Sequence, residues 1–240
     1  MKKIPRISVL MPAYNAETYI AEAIESILQQ TYSDFEFIII NDGSTDKTAE
    51  IIRGYDDSRI QFIDNTKNQG LIAILNQGLD LAQGEYIARM DTDDISLPTR
   101  FEKQIAFMDA HPDVGILGTW VLKFGDCENH IRKRKAKLGI WQLVTSAIVS
   151  HPTVMLRKSL LDKYSLRYDS EYVACEDYAL WAQASGYTTI ACLQEVLLHY
   201  RWHHANVSQT HRQLQKDNAK RVRKKLLKNW LSNGFQLRVK

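Results

Sequence analysis

The stretch Tyr86-Ile87-Ala88-Arg89-Met90-Asp91-Thr92-Asp93-Asp94 decides how this chain is read. A strand-like segment runs directly into three clustered carboxylates. Like charges this close raise each other's cost of ionisation, and a divalent cation removes that cost. Alternate residues of an extended segment point the same way, so Asp91 and Asp93 face one site. Their oxygens suit hard ions such as magnesium or manganese, which commonly hold a diphosphate. Taken alone, the acidic tripeptide reads first as a solvated turn that caps the next helix, because Asp is favoured in turns. Its surroundings reverse that order.

Upstream, strand and helix alternate. Ile7-Ser8-Val9-Leu10-Met11 is a nearly continuous apolar run, as expected for a buried parallel strand. Asn15 is placed to cap the following helix, whose Ile20, Ala23, Ile24, Ile27 and Leu28 share one face. Phe35 to Ile40 reads as a second strand ending in Asn41-Asp42-Gly43-Ser44, with Ser44 as cap of a helix reaching about Tyr55. Ile60 to Ile63 reads as a third strand, Leu71 to Ala82 as a helix and Tyr86 to Met90 as a fourth strand. This order predicts a parallel sheet covered on both faces. Right-handed crossovers then bring the loops holding Asn15, Asp42 and Asp91 to the carboxyl edge, where open α/β sheets bind ligands.

Beyond residue 97 the pattern loosens. A Thr99-x-x-Glu102 capping box opens a helix carrying Phe101, Ile105 and Met108. Val114 to Phe124 reads as a strand, residues 125 to 140 as a polar, basic loop, and Trp141 to Val149 and Glu176 to Ser185 as helices. Thr188 to Leu193 and Val196 to Tyr200 read as two strands. The 240 residues divide by expected role into 1–97, 98–205 and a basic tail, 206–240.

Charge is unevenly spread. The chain holds 31 Lys/Arg and 28 Asp/Glu, yet residues 201 to 240 contain 11 basic residues against a single acidic one, Asp217. An acidic body with a basic tail implies two surfaces with different partners. Cys127, Cys175 and Cys192 are odd in number and widely spaced, which predicts reduced thiols and a cytoplasmic setting. No apolar run is long enough to span a bilayer, and the N-terminus reaches Pro12 too soon for a signal peptide.

With these elements in order, the chain resembles the family 2 glycosyltransferases of the GT-A fold, a Rossmann-like, mostly parallel sheet with helices on both faces. The resemblance covers roughly residues 5 to 205. It rests on Ile7 to Asn15, Ile40-Asn41-Asp42-Gly43-Ser44-Thr45-Asp46, Asn68-Gln69-Gly70, Gly84-Glu85-Tyr86-Ile87, Asp91-Thr92-Asp93-Asp94 and Cys175-Glu176-Asp177-Tyr178. Each piece is weak alone, and together in this order they are specific.

The resemblance implies transfer of a sugar from a nucleoside diphosphate sugar, usually UDP-linked, to an acceptor hydroxyl. It implies that Pro12, Tyr14, Glu17 and Asn68 line the nucleotide pocket and that Asp42 meets the base. Asp91 and Asp93 then form the Asp-x-Asp motif for Mn2+ or Mg2+, Asp91 also reaching ribose, with His203 completing the metal shell or meeting a phosphate; His204 competes for that role. Asp177, paired with Glu176, becomes the base of an inverting reaction. A plain helix-dipole pair is the other reading of Glu176 and Asp177. His151 and Trp181 fall on the acceptor side, where a satisfied structural His is an equal reading of His151.

There are departures from the family pattern. Relatives carry Arg-Asn in the helix after Asn-x-Gly, where this chain has Leu75-Asn76; Lys67 is the candidate substitute. No Gln-x-x-Arg-Trp motif is present, which favours single addition over processive synthesis. In the tail, Val222, Leu226 and Trp230 share a helical face amid Lys and Arg. That composition suits an interfacial helix on anionic lipid, as for a peripheral enzyme using a lipid-linked glycan acceptor. A helix packed on the body with its basic face solvated is the alternative. Nucleic acid is disfavoured, since no recognition motif accompanies the charge. The expected role is thus a metal-dependent glycosyltransferase of surface polysaccharide or lipopolysaccharide synthesis. Its rivals are a non-catalytic nucleotide-sugar or glycan-binding module and a sugar nucleotidyltransferase.

Overall fold

A computed structural model of the chain describes residues 4–138, 140–145, 149–204 and 206–232. In chain order the elements are β1 (Ile7–Ala13), α1 (Ile20–Leu28), β2 (Phe35–Asp42), α2 (Thr48–Arg53), β3 (Ile60–Asn65), α3 (Leu71–Leu81), β4 (Tyr86–Arg89) and β5 (Ile95–Ser96). There follow α4 (Arg100–Ala110), β6 (Val114–Gly125), β7 (His130–Arg132), β8 (Lys137–Leu138), α5 (Ile140–Thr145), β9 (Met155–Arg157) and α6 (Lys158–Lys163). The chain ends in α7 (Glu176–Ala184), β10 (Thr189–Trp202), α8 (Val207–Thr210) and α9 (Arg212–Ser232).

One mixed sheet has the order β3-β2-β1-β4-β9-β6-β10-β5, with β7 added on β6 and β8 on β10. β3, β2, β1 and β4 are mutually parallel, β9 runs antiparallel between β4 and β6, and β10 is parallel to β6. Pairing therefore crosses position 97 without a break. Side-chain alternation sends Ile7, Val9 and Met11 of β1 to one core layer and Leu10 to the other. The first layer also takes Ile20, Ile24 and Ile27 from α1 and Phe101, Ile105 and Met108 from α4; the second takes Ile74 and Leu75 from α3 and Leu180 and Trp181 from α7. Each fully buried side chain of this size contributes roughly 1.5–3 kcal/mol, so the two layers dominate stability.

Several expectations are corrected. The helices of the first half start later than their polar cap candidates. α1 begins at Ile20 and α2 at Thr48, neither with a side-chain cap. Asn15 Oδ1 instead accepts the Thr45 amide at 2.9 Å, and Ser44 Oγ accepts the Asn15 amide at 2.9 Å. These side chains tie two sheet-edge loops together rather than ending helices. Thr99 does not cap α4 through its side chain, and Glu102 accepts a hydrogen bond from Thr31 instead. The stretch from 125 to 140 holds β7 and β8, short strands that take their register from β6 and β10. β10 is one strand: its pairing with β6 skips Gln194 and Glu195 between Leu193↔Thr119 and Val196↔Trp120, a bulge that mimics a strand break. α5 is described only over Ile140–Thr145; residues 146–148 of the expected helix lie outside the described residues.

Candidate active site

The strands β1, β2 and β4 end at one sheet edge, where their loops open on a cavity of about 1760 Å³. Asp91 and Asp93 follow β4 and line it, while Asp94 turns inward and is buried. Ligand oxygens of these three residues lie within 4.8 Å of one another. Burial, and then the charge of Asp91, raise the Asp93 carboxyl above its ordinary pKa. Asp94 is pushed up further, by burial and by Asp93 and Asp91 together. Its Oδ1 accepts the Arg201 amide at 2.8 Å, but its Oδ2 is buried without a hydrogen-bond partner. An electron-rich cluster with an orphaned oxygen is what a divalent cation satisfies, and an all-oxygen set with a nearby imidazole fits Mn2+ or Mg2+.

That imidazole belongs to His203. β10 carries the chain back past β5, so the segment after Trp202 arrives beside the β4 loop. His203 Nε2 lies 2.9 Å from Asp93 Oδ2, and Asn206 Nδ2 donates to the same oxygen at 3.2 Å. Asn206 Oδ1 in turn accepts the His203 amide at 2.6 Å, which fixes the turn. His204 lines the cavity but is exposed, so the imidazole set on Asp93 is that of His203. Arg201 clamps this corner: its Nε donates to the Asp93 carbonyl at 2.8 Å, its Nη2 pairs with Glu22, and its guanidinium lies 4.4 Å from the Tyr19 ring centre.

Across the same cavity stand Glu176 and Asp177, at the start of α7. The residue before this helix cap, Ala174, is held at φ +60°, a strained conformation that directs the acidic pair into the cavity. Burial, then the neighbouring Asp177, raise the Glu176 pKa to about 7. Burial also raises Asp177, against the Tyr178 amide that donates to its Oδ1 at 2.6 Å. Asp177 Oδ2 is therefore the oxygen left for another partner.

Between the two acidic groups lies Arg89, at the end of β4. It is 3% exposed, pairs with Asp91 and still lines the cavity. Burial works against its charge, but Asp91, Tyr168 and Asp94 hold it ionised. Its carbonyl accepts from the fully buried Arg100 at 2.7 Å, and Arg100 is braced by Gln104, which reaches the Leu117 and Thr153 carbonyls. The sequence pattern does not mark Arg89 or Arg100. An arginine at a strand end looks like a solvated charge until the fold covers it.

Of the residues expected to meet the nucleotide, Pro12, Tyr14, Asp42 and Asn68 line the cavity. Asp42 is 3% exposed, and its two oxygens accept the Gln69 and Gly70 amides at 2.7 and 2.9 Å. It thus holds the loop before α3, with lone pairs left on each oxygen. Gly43 (φ +68°) permits the approach of that loop, since a Cβ there would meet the Lys67 carbonyl carbon at 2.7 Å. Glu17 does not line the cavity: its Oε2 accepts the Lys47 amide at 2.9 Å, a loop brace. Lys67 is exposed and also stands outside the lining, so it does not replace the missing arginine. Asn76, beside Leu75, exchanges two 2.9 Å hydrogen bonds with the Tyr168 backbone.

Of the two acceptor-side candidates, Trp181 is corrected and His151 stays at the cavity. Trp181 is 0% exposed and absent from the lining; it packs in the core beneath His151, ring centres 6.0 Å apart. His151 does line the cavity, but its Nε2 is engaged by the Tyr168 hydroxyl at 2.9 Å. Burial, and then Arg89, push its pKa well below the ordinary value, so it is a neutral, satisfied imidazole.

Comparison with known proteins bears on the family and the fold. The glycosyl transferase family 2 profile matches residues 8–165. An uncharacterised glycosyltransferase of Haemophilus influenzae is 32% identical, covering 100% of this chain and 79% of its own length. The Escherichia coli protein WfgD, a UDP-Glc:alpha-D-GlcNAc-diphosphoundecaprenol beta-1,3-glucosyltransferase, is 31% identical over 73% of this chain and 68% of its own length. Among solved structures, S. aureus TarS 1-349 in complex with UDP-GlcNAc superimposes with a TM-score of 0.75 at 21% identity, over 98% of this chain and 76% of that 1-349 chain. The Pyrobaculum calidifontis mannosyltransferase PcManGT, in complex with GDP-Man and Mn2+, gives 0.68 at 16% identity, over 97% of this chain and 77% of its own. The sheet is thus that of the GT-A fold, and the chain belongs to glycosyltransferase family 2.

Proposed function

We infer that this glycosyltransferase moves a sugar from a nucleoside diphosphate sugar, with uridine as its base, to a hydroxyl of a glycan or lipid-linked glycan. Transfer is metal-dependent, adds one sugar per cycle and inverts the anomeric centre. One observation carries the reading: the carboxylate cluster with His203 and the acidic pair Glu176–Asp177 line a single cavity from opposite elements. The donor then occupies the side built by residues 1–97, and the acceptor the side built by 98–205.

Asp91, Asp93 and His203 would hold the Mn2+ or Mg2+, which when bound supplies positive charge against the leaving diphosphate. Asp42 and its loop seat the base, and an acceptor-only carboxylate with spare lone pairs suits the uracil imide N–H. Asp177 Oδ2 takes the proton of the acceptor hydroxyl as that oxygen attacks the anomeric carbon on the face away from the diphosphate. Its raised pKa brings the base nearer to neutral, where proton transfer is most effective. Arg89, between the two acidic groups, keeps both charged sites in one small volume. The uridine preference and the lipid-linked acceptor take support from the activity in WfgD's name and the UDP-GlcNAc complex of TarS.

The test is a panel of nucleotide sugars scored by thermal stabilisation with and without manganese. Metal-requiring stabilisation by uridine nucleotides alone is expected; indifference to every nucleotide would remove the reading. Asp177→Asn should keep nucleotide binding while transfer falls by at least about 100-fold. Unchanged transfer in that variant would assign the base elsewhere.

A further inference from the structure

At about 1760 Å³ the open cavity exceeds the range of about 300–1,000 Å³ usual for one small ligand, which leaves room for an acceptor beside a donor. Its charged lining is also segregated. The carboxylates of the donor edge and of α7 account for most of the acidic lining, whereas Arg132, Arg134, Arg212, Lys216 and Arg223 line it from β7, the segment after β7, and α9. Among the described residues none of these side chains is joined to a carboxylate in an ion pair, although Lys216 feels the charge of Asp217 and Asp126 lines the same cavity. Arg134 and Arg223 each hold a buried Nε without a hydrogen-bond partner. Burial, and then the adjacent Arg132, work against the charge of Arg134. The segment is nevertheless fixed: the Trp120 indole donates to the Arg134 carbonyl at 2.8 Å, and Lys133 lies 5.3 Å from the Trp120 ring centre. Arg223 sits against the Tyr178 hydroxyl, one residue from Asp177. A buried guanidinium Nε without an acceptor, beside a second cation in the case of Arg134 and beside a single hydroxyl in the case of Arg223, is stabilised by an anion that offers it an oxygen.

We propose that Arg134 and Arg223, with Lys216 at the rim, form a second anion site that binds a phosphate or diphosphate carried by the acceptor. This rests on the reading of Asp177 as the base. A phosphate on the anomeric carbon of an acceptor sugar lies one ring away from the hydroxyl that reacts, and Arg223 packs against α7, where its charge acts on the Cys175 thiol, the residue before the acidic pair. The site is separate from the donor diphosphate, which belongs to the Asp91–Asp93 edge. It would select acceptors that are glycosyl diphosphates over neutral glycosides, without reading the sugar itself.

Titration calorimetry in EDTA separates the two anion sites, because the metal-free Asp91–Asp93–Asp94 cluster repels anions. Decyl diphosphate should bind the full chain under these conditions, and decyl maltoside, with the same tail and no charge, should not. Arg134→Gln and Arg223→Gln should each weaken decyl diphosphate at least about tenfold while UDP binding with manganese stays unchanged. Should either variant melt early, Lys216→Glu on the exposed rim serves instead, with the same expected direction. Absence of decyl diphosphate binding, equal binding of decyl maltoside, or variants that bind as the wild type would overturn the proposal. Failure of UDP to bind would overturn the donor assignment instead, and the metal-free titration would still decide the anion site.

Discussion

Asp93 is held by opposing demands. Its Oδ2 takes hydrogen bonds from His203 and Asn206, while Asp91 and the buried Asp94 crowd it with like charge. Removing that charge should move stability and activity in opposite directions. Asp93→Asn is expected to raise the melting temperature in EDTA, lose the extra stabilisation given by manganese, and cut transfer by about 100-fold or more; paired melts with and without the ion check it. Glu176 makes a second, pH-dependent case. Its pKa is raised from about 4.5 to about 7 in the folded chain, so the folded state holds its proton more tightly than the unfolded one. That contribution is complete below pH 4.5, is lost as pH rises towards 7, and costs at most about 3 kcal/mol above it. Glu176→Gln should therefore melt higher than the wild type at pH 8 and show little difference at pH 4.5; equal melting points at both would mean that the carboxyl is not desolvated. Asp91, Asp93, Glu176 and Asp177 could be singled out in the sequence only because their motifs stand in family order; acidic residues at a strand end or a helix start are otherwise ordinary turn and dipole residues. Arg89 could not, since nothing in its neighbours tells a solvated arginine from one buried at 3% exposure.

Elements that bury an alternating or helical apolar face were readable, and elements defined by pairing were not. β1 to β4 and α1 to α4 follow from period and burial. β7 has three exposed residues and takes its strand geometry only from β6, and β5 and β8 have two residues each. Hydrophobic period has nothing to register in such lengths. The caps failed for a different reason. Asn15, Ser44 and Thr99 are cap-type residues, but a sheet edge offers loop amides that compete with helix ends for the same side chains. Asn15 spans to Thr45, Glu17 to Lys47 and Asp46 to Glu17, so the β1–α1 and β2–α2 loops form one braced platform at the sheet edge. Gly43 is the hinge of that platform. An alanine there incurs the left-handed penalty and a backbone clash at 2.7 Å. Gly43→Ala should cost at least about 2 kcal/mol, a fall of roughly 4 °C or more in melting temperature, and weaken UDP more than manganese alone. A variant with wild-type melting and wild-type UDP affinity would show that the loop relaxes freely.

Across the whole molecule, the charge division of the sequence becomes a spatial one. α9 keeps Val222 and Leu226 for the body, where they join the core with Leu180 and Trp181, so its apolar face is not free to enter a bilayer. Among the described residues no helix is long and apolar enough to cross a membrane. What α9 offers outward is charge: Lys220, Lys224 and Lys228 are exposed at i, i+4 and i+8, on the helix whose Arg212, Lys216 and Arg223 line the cavity. If acceptors are lipid-linked, this stripe sets the mouth of the site against an anionic surface by attraction alone, without insertion. Attraction of this kind is worth about 1 kcal/mol per Lys and fades within a Debye length as salt is added. The full chain should therefore sediment with vesicles rich in anionic lipid, not with neutral ones, and be released by salt. Lys220→Glu, Lys224→Glu and Lys228→Glu combined should weaken that binding by at least about 100-fold. The triple variant leaves Val222 and Leu226 in place, so it should melt as the wild type, whereas deleting α9 would unfold the site and confuse the outcome. Binding to neutral vesicles, or retention by the triple variant, would mean that some other surface meets the lipid.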